Sequence, residues 1–261
     1  MQLDGFDYER LAEKPIRGGR RIAQVGRCVG PVRRSRPIVV DDLRFLIAEA
    51  RTPVKVTLPG PLTIADSIAD EHYGDERALA FAVAEALNAE ARALDALGPA
   101  VIQFDEPAFS RYPEKVADWG IAALDRCLEG LRATTAVHVC YSYPIPGVPR
   151  PIVPSYPVIL PELEKSRVDQ VALEFEAPQL DPAMLRLCPS KTVLFGCIAI
   201  GKEETETPER IAERLLAAAR HHAPERLQAA PDCGLVPLSR AAARAKLAAL
   251  AQGARLARKR L

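Results

Sequence analysis

Residues 136–142 read Ala136-Val137-His138-Val139-Cys140-Tyr141-Ser142, and the fold turns on this stretch. Its start is apolar and β-branched, as a buried strand requires. Its end carries an imidazole and a thiol two residues apart. On a strand, residues i and i+2 point to the same side. His138 and Cys140 therefore face one ion from one rigid platform.

Similar runs lie on either side of it. Val54–Leu58, Ala100–Phe104, Val171–Phe175, Val193–Ile198 and Leu227–Ala230 join Ala136–Cys140 as strand candidates. They are short and mostly apolar, the pattern of parallel strands buried on both faces. Helical spacing fills the gaps between them. Glu76–Leu97 and Asp118–Arg132 repeat apolar residues every three or four positions, and Pro161–Lys165 and Pro182–Leu187 read as short helices. Asp181 is an N-cap candidate with Pro182 in the first turn. Thr207–Pro208 opens a helix running to about His221, and Ser239 caps one running from Arg240 to about Ala257. Alternation of strand and helix implies an α/β protein with a parallel sheet and outer helices. No linker or composition break divides the chain, so residues 1–261 are read as one domain.

The reactive residues follow the strands. Asp105 and Glu106 end one, Glu174 and Glu176 another, and Asp232-Cys233 follow the last. These are C-terminal strand ends, where a (β/α) barrel builds its active site. Zinc accepts imidazole nitrogen and thiolate sulfur, and a catalytic site leaves one position for substrate. Cys233 is the natural third ligand, with Gly234 allowing a tight turn. A carboxylate from the Glu174 strand end is the fourth, displaced when substrate binds. The remaining cysteines, Cys28, Cys127, Cys188 and Cys197, read as core residues. His72, His221 and His222 are expected on helix surfaces or in loops.

Composition narrows the classes further. The 261 residues are 48% hydrophobic and 26% charged, a soluble globular balance with a core of good size. A net charge of +1 gives no global pull toward nucleic acid. The basic runs Arg17–Arg21, Arg33–Arg36 and Arg255–Arg260 read as solvated faces and a basic tail. No apolar run approaches the roughly 20 residues of a membrane span, and MQLDGFDYER is not a signal peptide. Six scattered cysteines point to a reducing, cytoplasmic setting.

Assembled in order, LDGF at 3–6, GRCV at 26–29, LPGPLTI at 58–64, IQFDEPA at 102–108, HVCYS at 138–142, ALEFE at 172–176 and PDCGL at 231–235 resemble a known family. It is the C-terminal catalytic barrel of cobalamin-independent methionine synthase, with its shorter archaeal-type relatives. The resemblance implies a (β/α)₈ TIM-barrel type whose first two β/α units are missing here. It implies a catalytic zinc held by His138, Cys140 and Cys233, with Glu174 or Glu176 as the glutamate ligand. Counting forward from Asp169 favours Glu174; counting back from Asp181 favours Glu176. Strand register is harder to shift than loop length, so Glu174 is chosen. Asp105 matches the aspartate holding the amino group of homocysteine. Arg27 and Cys28 match a pair near the methyl donor. The implied activity is transfer of a methyl group to a zinc-bound homocysteine thiolate, making methionine.

The chain also departs from that family. The positions of a stacking tryptophan and a glutamate that contact folate fall on Ser67 and near Arg111. The GVYDIH-type stretch reads GCIAIG at 196–201, with Ala199 and Gly201 at the Asp and His positions. A methyl-corrinoid carried by a partner protein is the expected donor in place of folate. The alternatives are alkyl transfer to another thiol such as coenzyme M, and a non-catalytic truncated barrel acting as a subunit or binding module. Either the chain is a fragment of a longer one, or self-association or a partner chain supplies the missing staves, or the segment at 20–40 is repurposed.

Overall fold

The computed structural model describes residues 3–144 and 150–261. By contact density the chain forms two compact units. One comprises Met1–His138 with Ser166–Asp169, the other Val139–Lys165 with Gln170–Leu261.

The first unit opens with a long antiparallel hairpin, β1 (Asp4–Ile16) and β2 (Arg21–Arg33). Helix α1 (Val40–Glu49) leads to strand β3 (Lys55–Pro59), helix α2 (Pro61–Asp66) and the two-residue strand β4 (Ala69–Asp70). Helix α3 (Glu76–Asp95) precedes β5 (Val101–Asp105). Next, α4 (Pro113–Lys115), a π-turn over Val116–Gly120 and α5 (Ile121–Cys127) follow without a break. Strand β6 (Thr134–Val139) closes the series. Strands β3, β5 and β6 are parallel, and β4 pairs parallel with β2.

Helix α3 shows why its segment folds. Leu79, Ala80, Val83, Ala84, Leu87, Ala91 and Leu94 are buried at three- and four-residue spacing. Asp75 caps its start by accepting from the Arg77 amide. Its buried Glu90 accepts from the amides of Ile38 and Val39 and pairs with Arg34. A single carboxylate thus anchors the link between β2 and α1.

In the second unit α6 (Tyr156–Lys165) precedes β7 (Gln170–Leu173). A 3₁₀ helix, Pro182–Leu187, leads to β8 (Thr192–Gly196). Helix α7 (Pro208–Ala218), β9 (Leu227–Ala230) and α8 (Arg240–Arg258) complete it. Strands β7, β8 and β9 are parallel. Asp181 and Ser239 each accept an amide hydrogen bond at a helix start, as expected, and Thr207 does the same at the start of α7. Among the described residues no helix is long and apolar enough to cross a membrane.

The α/β class and the six predicted strands hold, each within two residues. Several expectations do not. The β1–β2 hairpin lacks clean polar/apolar alternation because much of it is exposed on both faces. Helix α6 starts five residues before Pro161. Burial of Tyr156, Ile159, Leu160 and Leu163 outweighs the local cost of the proline. The helix placed at 118–132 ends at Cys127, and α7 ends at Ala218. His222 lies in the loop after α7, as expected, but there it is buried, with Nε2 2.9 Å from the Lys191 carbonyl oxygen. Two basic runs also lose their solvated reading in part, since Arg17 pairs with buried Asp66 and Arg34 with Glu90.

Helices α7 and α8 pack through Gly253. A Cβ there would lie 2.5 Å from Ile211 Cγ2 and 2.9 Å from the Pro208 carbonyl oxygen. Gly253→Ala gains about 1 kcal/mol of helix propensity but forces a backbone shift costing about 1–3 kcal/mol. The expected outcome in urea denaturation is a net loss of stability.

Candidate metal centre

The parallel register brings the strand ends level. Pro59 pairs with Asp105, and Asp105 with His138. In the second unit Leu173 pairs with Phe195, and Gly196 with Ala230. The residues following these rungs are Glu174, Cys197 and Pro231–Cys233.

His138, Cys140 and Cys233 each offer a ligand atom, and those atoms lie within 4.8 Å of one another. The two sulfurs are 3.6 Å apart. Cys140 is buried and Cys233 half-buried, so one side of the cluster is reachable. Two soft thiolates with an imidazole suit zinc better than a hard cation. Gly234 contributes clearance rather than an unusual turn: a Cβ there would lie 2.6 Å from the Tyr143 hydroxyl.

The backbone around Cys140 is held on every side. The Tyr156 hydroxyl donates to the Val139 carbonyl (2.9 Å) and accepts from the Glu174 amide (2.9 Å). The Tyr141 amide donates to Glu174 Oε2 (2.8 Å). Arg150 donates to the Ser142 carbonyl (3.0 Å) and forms an ion pair with Glu174 Oε1. Glu174, one residue beyond β7, therefore abuts the chain next to Cys140 but lies outside the three-residue cluster. Glu176 is committed elsewhere, to Arg210 (2.6 Å) and Arg214 (2.9 Å).

Asp232 locks the preceding segment in place. Its fully buried carboxylate accepts from the amides of Phe175, Glu176 and Ala177, at 3.0, 2.9 and 2.7 Å. Burial pushes this carboxyl up to about 7, with the nearby Glu174 charge adding to the shift and the three amides opposing it. One side chain thus ties the residue before Cys233 to the strand end that carries Glu174.

Asp105 sits beside His138. Burial raises its carboxyl above the ordinary range, against the His138 charge, a 2.7 Å hydrogen bond from Gln103 and nearby Lys55. Lys55 in turn donates to Gln103 (2.9 Å). Neither Gln103 nor Lys55 was anticipated. Their signal was a pair of polar side chains inside otherwise apolar strands. Glu106 is structural. It accepts from the Leu62 and Thr63 amides and the Thr63 hydroxyl at the start of α2, and burial lifts it to about 7.

The donor-side candidates occupy the hairpin. Cys28 is fully buried on β2, its thiol pushed up by burial. Arg27 is tied to the Arg10 and Leu11 carbonyls and to Glu71. The Ser67 hydroxyl accepts from Arg17 (3.0 Å). Ala199 and Gly201 line a cleft of about 780 Å³ with Glu176, Gln179, Lys202 and Arg210.

The fold is α/β, with a His–Cys–Cys cluster at its strand ends whose atoms lie close enough to hold one metal ion. The comparisons name the family: the chain belongs to the cobalamin-independent synthase family, whose catalytic-domain description matches residues 1–256. Methionine synthase of Sulfurisphaera tokodaii is 31% identical over 234 residues, covering 89% of this chain and 65% of that protein. The Thermococcus kodakarensis enzyme is 31% identical over 227 residues, 86% and 64% respectively. The chain thus spans a little under two thirds of the length of these curated relatives. Among solved structures, a B12-independent methionine synthase from Shewanella sp. W3-18-1, in complex with selenomethionine, superposes with a TM-score of 0.93 at 37% identity. That match covers 99% of this chain and 77% of the other. A Methanosarcina mazei methyltransferase shares the fold alone, with a TM-score of 0.61 and 15% identity over 82% of this chain and 63% of the other.

Two outcomes check this centre. In the folded chain a thiol-labelling reagent should modify Cys233, the one half-buried cysteine, ahead of buried Cys140, which reacts only as its strand end opens, and added zinc should protect Cys233. Cys28, Cys127, Cys188 and Cys197 should label only on unfolding, since all four are buried and burial lifts Cys188 and Cys197 to about 12. Asp232→Ala strands the buried amides of Phe175 and Glu176 and the part-buried amide of Ala177, a buried one costing roughly 1–3 kcal/mol when unmet. A loss of about 3–5 kcal/mol in chemical denaturation is expected.

Proposed function

We propose that this chain is the catalytic domain of a zinc-dependent S-methyltransferase that methylates a homocysteine-like thiol to a thioether, methionine in the simplest case. The observation carrying this reading is the convergence of His138, Cys140 and Cys233 within one metal's reach. Family membership over residues 1–256 supports it. Residues 1–261 are read as a single domain, with β3 and β5–β9 as the third to eighth strands of the family barrel. A reducing cytoplasm suits the free thiols.

His138, Cys140 and Cys233 would hold the zinc, with Glu174 as the carboxylate that can complete the set. Zinc there stabilises a substrate thiolate at neutral pH, where a free thiol is mostly protonated. The other steps belong to the chain. Asp105 accepts a charge-assisted hydrogen bond from the substrate ammonium group. Gln103, braced by Lys55, fixes the Asp105 carboxylate. Tyr156 fixes the backbone on both sides of Cys140 and Glu174. The donor reading is a methyl-corrinoid on a partner protein. Ser67 gives no stacking surface for a pterin, and Ala199 and Gly201 give no proton donor.

Zinc content tests the ligand set. Cys140→Ala and Cys233→Ala should each lose most of the metal by elemental analysis, while Cys197→Ala keeps it. Full retention in both ligand variants removes the assignment. Asp105→Asn should raise KM for homocysteine about tenfold or more and leave KM for 2-mercaptoethanol unchanged, because only the first carries an ammonium group. Methyl transfer from methylcobalamin but not from methyltetrahydrofolate would establish the donor; the reverse would exclude it.

A further inference from the structure

We infer that Lys55 is a positioning residue that sets the specificity of the site: acting through Gln103, it makes Asp105 select thiols that carry an ammonium group over thiols that lack one. The inference rests on the reading that Asp105 receives the substrate ammonium, and extends it to a residue that touches no substrate.

Strand register builds the arrangement. Strands β3 and β5 are parallel, with Lys55 paired to Val101, Thr57 to Gln103 and Pro59 to Asp105. Residues two apart on a strand face the same side. Lys55, Gln103 and Asp105 therefore share one face of the sheet and climb it two residues at a time toward the carboxyl edge. Each step is a hydrogen bond. Lys55 Nζ donates to Gln103 Oε1 (2.9 Å), and Gln103 Nε2 donates to Asp105 Oδ1 (2.7 Å). Gln103 is buried and Lys55 half-buried. Burial lowers the Lys55 ammonium below its ordinary range, with the Asp105 charge opposing the shift. A charge withdrawn from water in this way needs a hydrogen-bond acceptor, and the Gln103 oxygen is that acceptor.

The three groups fix the direction of the chain of bonds. An ammonium has donors only, an ionised carboxylate has acceptors only, and a primary amide has one end of each kind. Lys55 can bond only to the amide oxygen, so the amide nitrogen must face Asp105. Gln103 then takes Oδ1 and leaves Oδ2 to the incoming ammonium. Without Lys55 the amide is free to turn over. Its oxygen would face the carboxylate and repel it, and Asp105 would lose the orientation that suits the substrate.

Direct electrostatics predicts the opposite effect. Lys55 and an ammonium substrate carry like charges, so by charge alone the removal of Lys55 strengthens ammonium binding. Positioning through Gln103 predicts a loss.

The test measures binding rather than turnover. Wild type and variants, with zinc added, are titrated by calorimetry with L-methionine and with 4-(methylsulfanyl)butanoate, which differ only by the ammonium group. Lys55→Met should bind L-methionine about tenfold more weakly, the size of one hydrogen bond to a charged group. Its affinity for 4-(methylsulfanyl)butanoate should stay within about twofold of wild type, since that ligand makes no ammonium contact. In a Gln103→Leu background, Lys55→Met should change L-methionine affinity less than about twofold, because the intermediary is gone. Equal weakening toward both ligands marks a loosened fold and overturns the proposal. Unchanged or tighter L-methionine binding overturns it too, as does an undiminished effect in the absence of Gln103. If Lys55→Met does not fold by circular dichroism, Lys55→Gln decides. Its side chain is polar but shorter and uncharged, and it should show the same selective loss. Asp105→Asn is titrated beside these variants. If it binds L-methionine as wild type does, the ammonium reading fails and this inference with it. If it loses the preference for L-methionine while Lys55→Met keeps it, the ammonium reading stands and only the role of Lys55 is removed.

Discussion

The parallel ladder is the constraint on which the rest depends. Parallel pairing puts the carboxyl end of each strand beside the carboxyl end of its neighbour, and helices return the chain to the opposite edge. Pro59, Asp105 and His138 thereby fall on successive paired positions. Leu173 with Phe195 and Gly196 with Ala230 do the same in the second unit. Reactive residues placed just beyond those positions are held by rigid backbone. The ligand atoms of His138, Cys140 and Cys233 lie within 4.8 Å of one another.

Polar residues that perform no chemistry keep those strand ends in place. Asp232 gathers three amides after β7, Glu106 three donors at the start of α2, and Glu90 two amides between β2 and α1. Each carboxylate is buried, and each lies where the chain leaves regular structure and its amides need acceptors. Tyr156 extends the pattern, with one hydroxyl bonding the backbone beside Cys140 and beside Glu174.

Two acidic pairs in the sequence separate into different roles by the same logic. Glu106 and Glu176 look as reactive as Asp105 and Glu174, and each pair lies on one strand end. Glu106 is consumed by the amides of α2, and Glu176 by Arg210 and Arg214. Asp105 is left beside His138, and Glu174 beside the chain of Cys140. What distinguishes the members of each pair is the partners already occupying their oxygens.

The sequence by itself determined the alternating α/β plan, the six strands and the Asp181 and Ser239 caps, and it singled out His138, Cys140 and Cys233 as a candidate ligand set. These are local or periodic properties: β-branched runs, capping residues before prolines, and a two-residue spacing that faces one side of a strand. Only the tertiary structure decided the β1–β2 hairpin, the start of α6 ahead of Pro161, the burial of His222 and the partners of Glu174. Each of those depends on residues distant in the chain. The hairpin carries no periodic burial signal, α6 is held by packing that outweighs propensity, and Arg150 meets Glu174 only where two strand ends and a loop converge. Which atoms surround a carboxylate is a property of the folded arrangement, so Glu174 could be named from its strand but its restraint could not.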